Sequence, residues 1–210
     1  MFLQYPDNLF FRKSVPFHSL VLLVGPELTS IWIKIRGQGH ARYLAVRVIR
    51  IIDALVNSCV DIGNDTGEPG GDGIFHPHAP YPTITFPDDV DWKSIDQKML
   101  YRILSLPNEL QNIRQKIKIA AETNDPPDYS DFFEERRKLF SQFGLKAQKI
   151  SDDLRLSYDL PTLELESAKI VDFLNQTIDE IISARRRSKE LAEQRGKGML
   201  QKAREASDNI

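Results

Sequence analysis

Apolar positions recur along most of this chain with the spacing of helices, and one long stretch between them has no period at all. The first pattern is a long apolar segment with an unbroken run at Leu20 to Val24. Val15 to Ile33, VPFHSLVLLVGPELTSIWI, is a 19-residue apolar segment, close to the ~20 residues that cross a bilayer as a helix. His18 and the group Gly25-Pro26-Glu27 interrupt it. A carboxylate at the centre of a span costs about 2.5–3.5 kcal/mol, and proline removes a rung of the hydrogen-bond ladder. Two readings therefore stand: a single membrane anchor, which is favoured, or a buried helix of a soluble core. No small-x-small cleavage site follows the segment, which argues against a removed signal peptide.

Beyond Gly39 the pattern is amphipathic. Leu44, Val48, Ile51, Leu55 and Cys59 recur at spacings of 4, 3, 4 and 4, which places them on one helical face. This predicts a helix over 37–62 that ends near Gly63 and is separated from the apolar segment by a break near Gly37 to Gly39. From 63 to 91 five glycines and five prolines abolish periodicity. That stretch reads as a long loop with room for one short strand, around Thr83 to Phe86.

Helical spacing returns at Asp91 or Ser94, both plausible N-caps. Met99, Ile103, Leu106, Leu110, Ile113, Ile117 and Ala120 follow at 4, 3, 4, 3, 4 and 3. The stripe keeps phase through Pro107, so Pro107 is read as a kink within one helix. Asn124-Asp125-Pro126-Pro127 ends that helix, and Asp128 caps the next. Phe133, Phe140, Phe143, Ala147, Ile150 and Leu154 form its apolar face as far as Leu160-Pro161. The short link makes 92–160 an antiparallel helical hairpin. A last helix, 161–210, starts near Thr162 with a stripe of Ile170, Leu174, Ile178 and Ile181 that fades after Leu191. Its end, RGKGMLQKAREASDNI, is expected to fray. The fold class is mainly α, a hairpin or bundle with an N-terminal apolar helix (1–36) and a long Gly/Pro-rich loop (63–91).

Charge changes this picture little. Lys and Arg total 28 against 30 Asp and Glu, a net charge of −2, which exerts no global pull toward nucleic acid. Cys59 is the only cysteine; it excludes an internal disulfide and a Cys-rich zinc site and reads as a small core residue. If the apolar segment spans a membrane, Arg12 and Lys13 precede it and Lys34, Arg36, Arg42, Arg47 and Arg50 follow it. The positive-inside rule then puts the C-terminal part in the cytoplasm. The alternative location is the cytoplasm outright.

Candidate chemistry is sparse. His76-Pro77-His78 could seat a metal only with Asp72, Asp88 or Asp89 from the same flexible loop, at a large ordering cost; no metal or cofactor is expected. Glu134-Glu135-Arg136-Arg137-Lys138 reads as a solvated helix face of exposed ion pairs. Phosphate-loop, serine-elbow and HExxH signatures are absent, and with them the commonest nucleotide, hydrolase and metalloprotease chemistries. Arg185, Arg186, Arg187, Lys189, Arg195, Lys197, Lys202 and Arg204 make the chain's end basic. They could meet lipid or nucleic-acid phosphate. Glu190, Glu193 and Glu205 dilute the patch and no aromatics interleave it, which leaves nucleic acid the least favoured partner.

The stretches DDVDWKSIDQKMLYRILSLPNEL and PPDYSDFFEERRKLFSQFGLKAQKISDDLRLSYDLP, with WIKIRGQGHARYLAVRVIRIIDAL upstream, resemble uncharacterised bacterial proteins known only from genome sequences. In these a hydrophobic N-terminal helix precedes a helical hairpin, and the likeness covers residues 20–160. Pro26-Glu27 and the basic tail depart from the pattern. The resemblance implies a membrane-anchored helical protein of the bacterial inner membrane and carries no functional residue. Trp92, Tyr101, Asp128, Tyr129, Phe132 and Phe133, with Pro107, cluster at the ends and hinge of the hairpin. They read first as packing of the hairpin turn, and alternatively as a partner-binding surface, since aromatics at element junctions are typical anchors. The expected function is a non-enzymatic, membrane-tethered helical protein acting through a protein partner or self-association. The alternatives are a soluble helical-bundle interaction module or, last, a nucleic-acid binder through the basic tail.

Overall fold

The amphipathic stripes become helices in the computed structural model, which describes residues 26–71, 74–123 and 130–207, with side chains over 39–71, 74–122 and 130–199. The elements in order are α1 (Pro26–Asn64), a two-residue antiparallel ribbon of β1 (Glu68–Pro69) and β2 (Phe75–His76), a 3-10 turn (Trp92–Ser94), α2 (Gln97–Thr123), α3 (Ser130–Ser157) and α4 (Glu164–Ser207). The packing described below belongs to the compact unit that starts at Ala41; of the N-terminal unit, residues 26–40 are described and are helical. Residues 15–25, the larger part of the apolar segment, lie outside the described residues, as do Asp128 and Tyr129. Among the described residues no helix is long and apolar enough to cross a membrane.

Four local expectations need correction. α1 is unbroken through Gly37 and Gly39. A glycine costs only about 1 kcal/mol in a helix interior, and good helix formers on both sides carry the ladder across. No strand forms at Thr83 to Phe86; Ile84 and Phe86 instead pack singly against the core from irregular chain, and the only ribbon among the described residues lies earlier in the loop. Asp91 caps the 3-10 turn, whereas α2 is capped by Asp96, whose carboxylate accepts from the amides of Lys98 at 2.9 Å and Met99 at 3.1 Å. The C-terminal segment continues as helix to Ser207, because Lys, Glu, Arg, Gln and Ala there have high helix propensity and outweigh Gly196 and Gly198.

The core is built from three faces. α1 contributes Val48, Ile52, Leu55, Cys59 and Ile62, a 4-3-4-3 stripe that keeps the expected Val48, Leu55 and Cys59, with Leu44 buried before them, and differs only in that Ile52 and not Ile51 is fully buried. α2 adds Ile103, Leu106, Leu110 and Ile117, in one phase through Pro107. α3 adds Phe140, Phe143, Ala147, Ile150 and Leu154. Arg102 meets Asp153 at 2.7 Å and Glu109 meets Lys146 at 2.6 Å, which fixes α2 and α3 as antiparallel neighbours. α4 lies antiparallel on α3, burying Leu174, Thr177 and Ile181. At Gly144 three helices converge: a Cβ there would stand 2.9 Å from Cys59 Cβ and 3.0 Å from Leu174 Cδ1.

α3 stops by a six-to-one motif. The Leu160 amide donates to the Arg155 carbonyl at 2.9 Å, and between them Asp159 takes a left-handed φ of 50°, the place glycine usually fills.

Candidate functional site

The Gly/Pro-rich loop is held as a strap by one buried ion pair. Asp65, just past the end of α1, accepts from the Gly67 amide at 3.0 Å on one oxygen. Its other oxygen accepts from His78 N at 3.0 Å, Ala79 N at 2.9 Å and the Arg136 guanidinium at 2.7 Å. The second terminal nitrogen of Arg136 donates to the Ala79 carbonyl. Arg136 is 1% exposed and Asp65 5%. Burial pushes the Asp65 carboxyl upward, but the amides of Ala79, Gly67 and His78 together with Arg136 outweigh it and hold the group below the usual range.

Neighbouring groups extend the latch. The Arg136 guanidinium lies 5.5 Å from the Tyr81 ring centroid, Arg114 donates to the Pro82 carbonyl, and Arg137 Nε donates to the Gly63 carbonyl at 2.8 Å. Phe133 closes the strap at Gly67, which has φ +81° and where a Cβ would fall 2.5 Å from the ring. Beside the latch opens a cleft of about 490 Å³ lined by Asp61, Asn64, Asp65, Glu68, His78 and Pro80. Both Asp65 oxygens are already engaged, so the cleft's buried carboxylate is not poised for proton transfer. Among the described residues no three His, Cys, Asp or Glu side chains gather closely enough to hold a metal, and His76 and His78 are exposed.

The run Glu134 to Lys138 is therefore not the solvated face expected of it. Arg136 is buried in the latch, Arg137 ties α3 to the end of α1, and Glu134 and Glu135 each hold Arg185 of α4 at 2.9 Å. Burial works against the Arg185 charge, but the two carboxylates prevail and raise its pKa. Sequence reading missed Arg136 and Asp65. The signal for Arg136 was the gap of seven between Phe133 and Phe140: Arg136 sits three after one and four before the other, in phase with the buried stripe.

A second polar network ties α1 to α3. Asp53 accepts from Ser151 Oγ and from Arg155, each at 2.6 Å, and Arg155 is 7% exposed. Cys59 lies in the core with its thiol pushed up to about 12 by burial, which keeps it protonated and poorly nucleophilic.

The aromatic residues predicted at the hairpin ends do not gather on one surface. Trp92 is partly buried edge-on to Phe86, 5.5 Å between centroids, and Tyr101 points to solvent near the start of α2. Phe132 and Phe133 pack edge to face at 5.1 Å at the start of α3. Because α2 and α3 are antiparallel, these two pairs occupy opposite ends of the hairpin.

What remains unused by the bundle is the outer face of α4. Opposite buried Leu174, Thr177 and Ile181 stand exposed Asp172, Asn175, Asp179 and Ile182, and every residue from Arg186 to Met199 is exposed. Charge along this helix is polarised. Residues 164–180 carry Glu164, Glu166, Asp172, Asp179 and Glu180 against Lys169, whereas 186–199 carry Arg186, Arg187, Lys189, Arg195 and Lys197 against Glu190 and Glu193. No protein-family model matches the chain, and neither does any curated protein or solved structure.

Proposed function

We propose that this protein is a non-enzymatic helical interaction protein whose contact element is α4. The observation that carries the reading is the unbroken exposure of Arg186 to Met199 on a helix whose earlier half is docked on α3. Burial of Leu174, Thr177 and Ile181 anchors the helix, and the exposed continuation is available to a macromolecular partner. The polar clusters inside the bundle support the same reading, since Asp65–Arg136 and Asp53–Arg155 are spent on joining elements to one another.

The test compares the full chain with one ending at Arg187, which keeps the Arg185 contacts and hence the bundle. Circular dichroism is expected to show an intact fold in both. Chemical crosslinking in cells, read by mass, is expected to show higher-mass species for the full chain that the shortened chain lacks. Identical crosslinking patterns would refute α4 as the contact element.

The apolar sequence Val15–Ile33 supports a membrane tether for this module, in the inner membrane with the C-terminal part cytoplasmic. Retention of the full chain in membranes washed with alkaline carbonate is the expected result. Release into the wash as soluble protein would make those residues part of a soluble protein and leave the α4 reading in place.

A further inference from the structure

We propose that the partner of α4 is α4 of a second copy, laid antiparallel along its outer face. This rests on the reading of α4 as the contact element and names the occupant. Asp172, Asp179, Ile182, Arg186, Lys189, Glu193 and Lys197 follow at spacings of 7, 3, 4, 3, 4 and 4, so they share one side of the helix. All seven are exposed.

The order of charge along that side decides the orientation. A two-fold axis beside Ala184 sets Asp179 and Lys189, five residues away on either hand, opposite each other. It sets Asp172 opposite Gly196, one residue from Lys197, and uncharged Asn175 against Glu193, and brings Ile182 beside the aliphatic stem of Arg186. Glu190, about five turns after Asp172 on the same side, comes beside Asp179, and the two Arg186 flank the axis. The orientation therefore rests on the net acidic half of each helix lying along the net basic arm of the other. A parallel pair would stack Asp172 on Asp172 and Lys197 on Lys197, which repel. An isologous contact also closes on itself, so the assembly stops at a dimer. Each exposed arm then runs along the acidic half of the other copy, about 38 Å between Asp172 and Lys197 at 1.5 Å per residue.

Exposed ion pairs are individually weak and screened by salt. The association is therefore expected to be modest and to dissolve as ionic strength rises. Sedimentation velocity of the full chain, in non-ionic detergent, is expected to show a dimer at about 50 mM salt and a monomer at about 500 mM. The Asp172→Lys/Asp179→Lys variant is expected to be monomeric at low salt, and so is Lys189→Glu/Lys197→Glu. Mixed together, the two variants present opposite charges at these four positions and are expected to form a heterodimer. All four positions are exposed, so circular dichroism should not change.

A chain that is monomeric at both salts, a dimer that survives either charge reversal, or a mixture that stays monomeric would overturn the proposal. If the chain is monomeric but removal of residues 188–210 abolishes binding to anionic lipid vesicles or to another protein, self-pairing fails while α4 remains the contact element. If that removal changes neither association nor crosslinking, both readings fail.

Discussion

Two charge runs in this chain read almost alike, Glu134-Glu135-Arg136-Arg137-Lys138 and Arg185-Arg186-Arg187-Ser188-Lys189, yet the fold places them in opposite environments. In the first, Arg136 is 1% exposed and bonded to Asp65, and its neighbours reach α1 and α4. In the second, only Arg185 is engaged, and the residues after it are open to water. What separates them is phase against the apolar stripe. Arg136 falls between Phe133 and Phe140 on the face that meets the strap. Arg185 falls four after Ile181 and occupies the last place on the buried face of α4. Arg186 and Arg187 are turned off that face, and α3 begins only at Ser130, beside the last docked turn of α4. The density of charge in a run says nothing about burial; its register with the hydrophobic positions does.

Substitutions can break or sharpen this contrast. The largest effect is expected from Arg136→Ala, which leaves the Asp65 carboxylate buried without its cation. Loss of one partner of a buried pair costs about 3–5 kcal/mol, to be read from the midpoint of urea unfolding with the slope unchanged. Next comes Gly67→Ala, which combines a left-handed backbone with a Cβ driven into the Phe133 ring; a loss of about 2–3 kcal/mol is expected. Arg185→Ala removes two partly exposed ion pairs and should cost about 1 kcal/mol or less. Arg187→Ala should stay within about 0.5 kcal/mol of the parent. If Arg187→Ala proved as costly as Arg136→Ala, the contrast between the two runs would be lost.

Acid sharpens the same point. The folded-state pKa of Asp65 lies below its ordinary value, which in unfolded chains is about 3.9. The latch therefore contributes its full stability above that pH and loses it as pH falls through the folded value, where the native carboxylate finally takes up its proton. The stability difference between the parent and Asp65→Asn is expected to be constant near neutrality and to shrink as pH drops below about 4. A difference independent of pH down to acid unfolding would mean that Asp65 is not ionised in the latch.

Much of the fold is legible in the sequence. The α2 stripe kept its phase through Pro107, and the helix does run on through it. The α3 stripe from Phe133 to Leu154 is the buried face, and Cys59 is a core thiol. The misreadings have a common origin. Gly37 and Gly39 looked like a break because glycine propensity was weighed without the helix on either side. Thr83 to Phe86 looked like a strand because Ile84 and Phe86 are apolar, but they bury themselves singly on the bundle. The six predicted site residues divide: Asp128 and Tyr129 lie outside the described residues, Trp92, Phe132 and Phe133 pack, and Tyr101 stands alone in solvent.

The sequence by itself determined where the helices lie, which side of each is apolar, and that α2 and α3 form a hairpin, because these follow from a period of 3.6 and a short link. Only the tertiary structure decided that Arg136 of α3 is the partner of an aspartate 71 residues earlier, that the Gly/Pro-rich loop is strapped down by it, and that the outer face of α4 is left uncovered. A helix's period is set by contacts three and four residues apart. The pairing of Arg136 with Asp65 depends instead on which distant backbone amides are brought to the same carboxylate when the chain closes, and no local pattern records that.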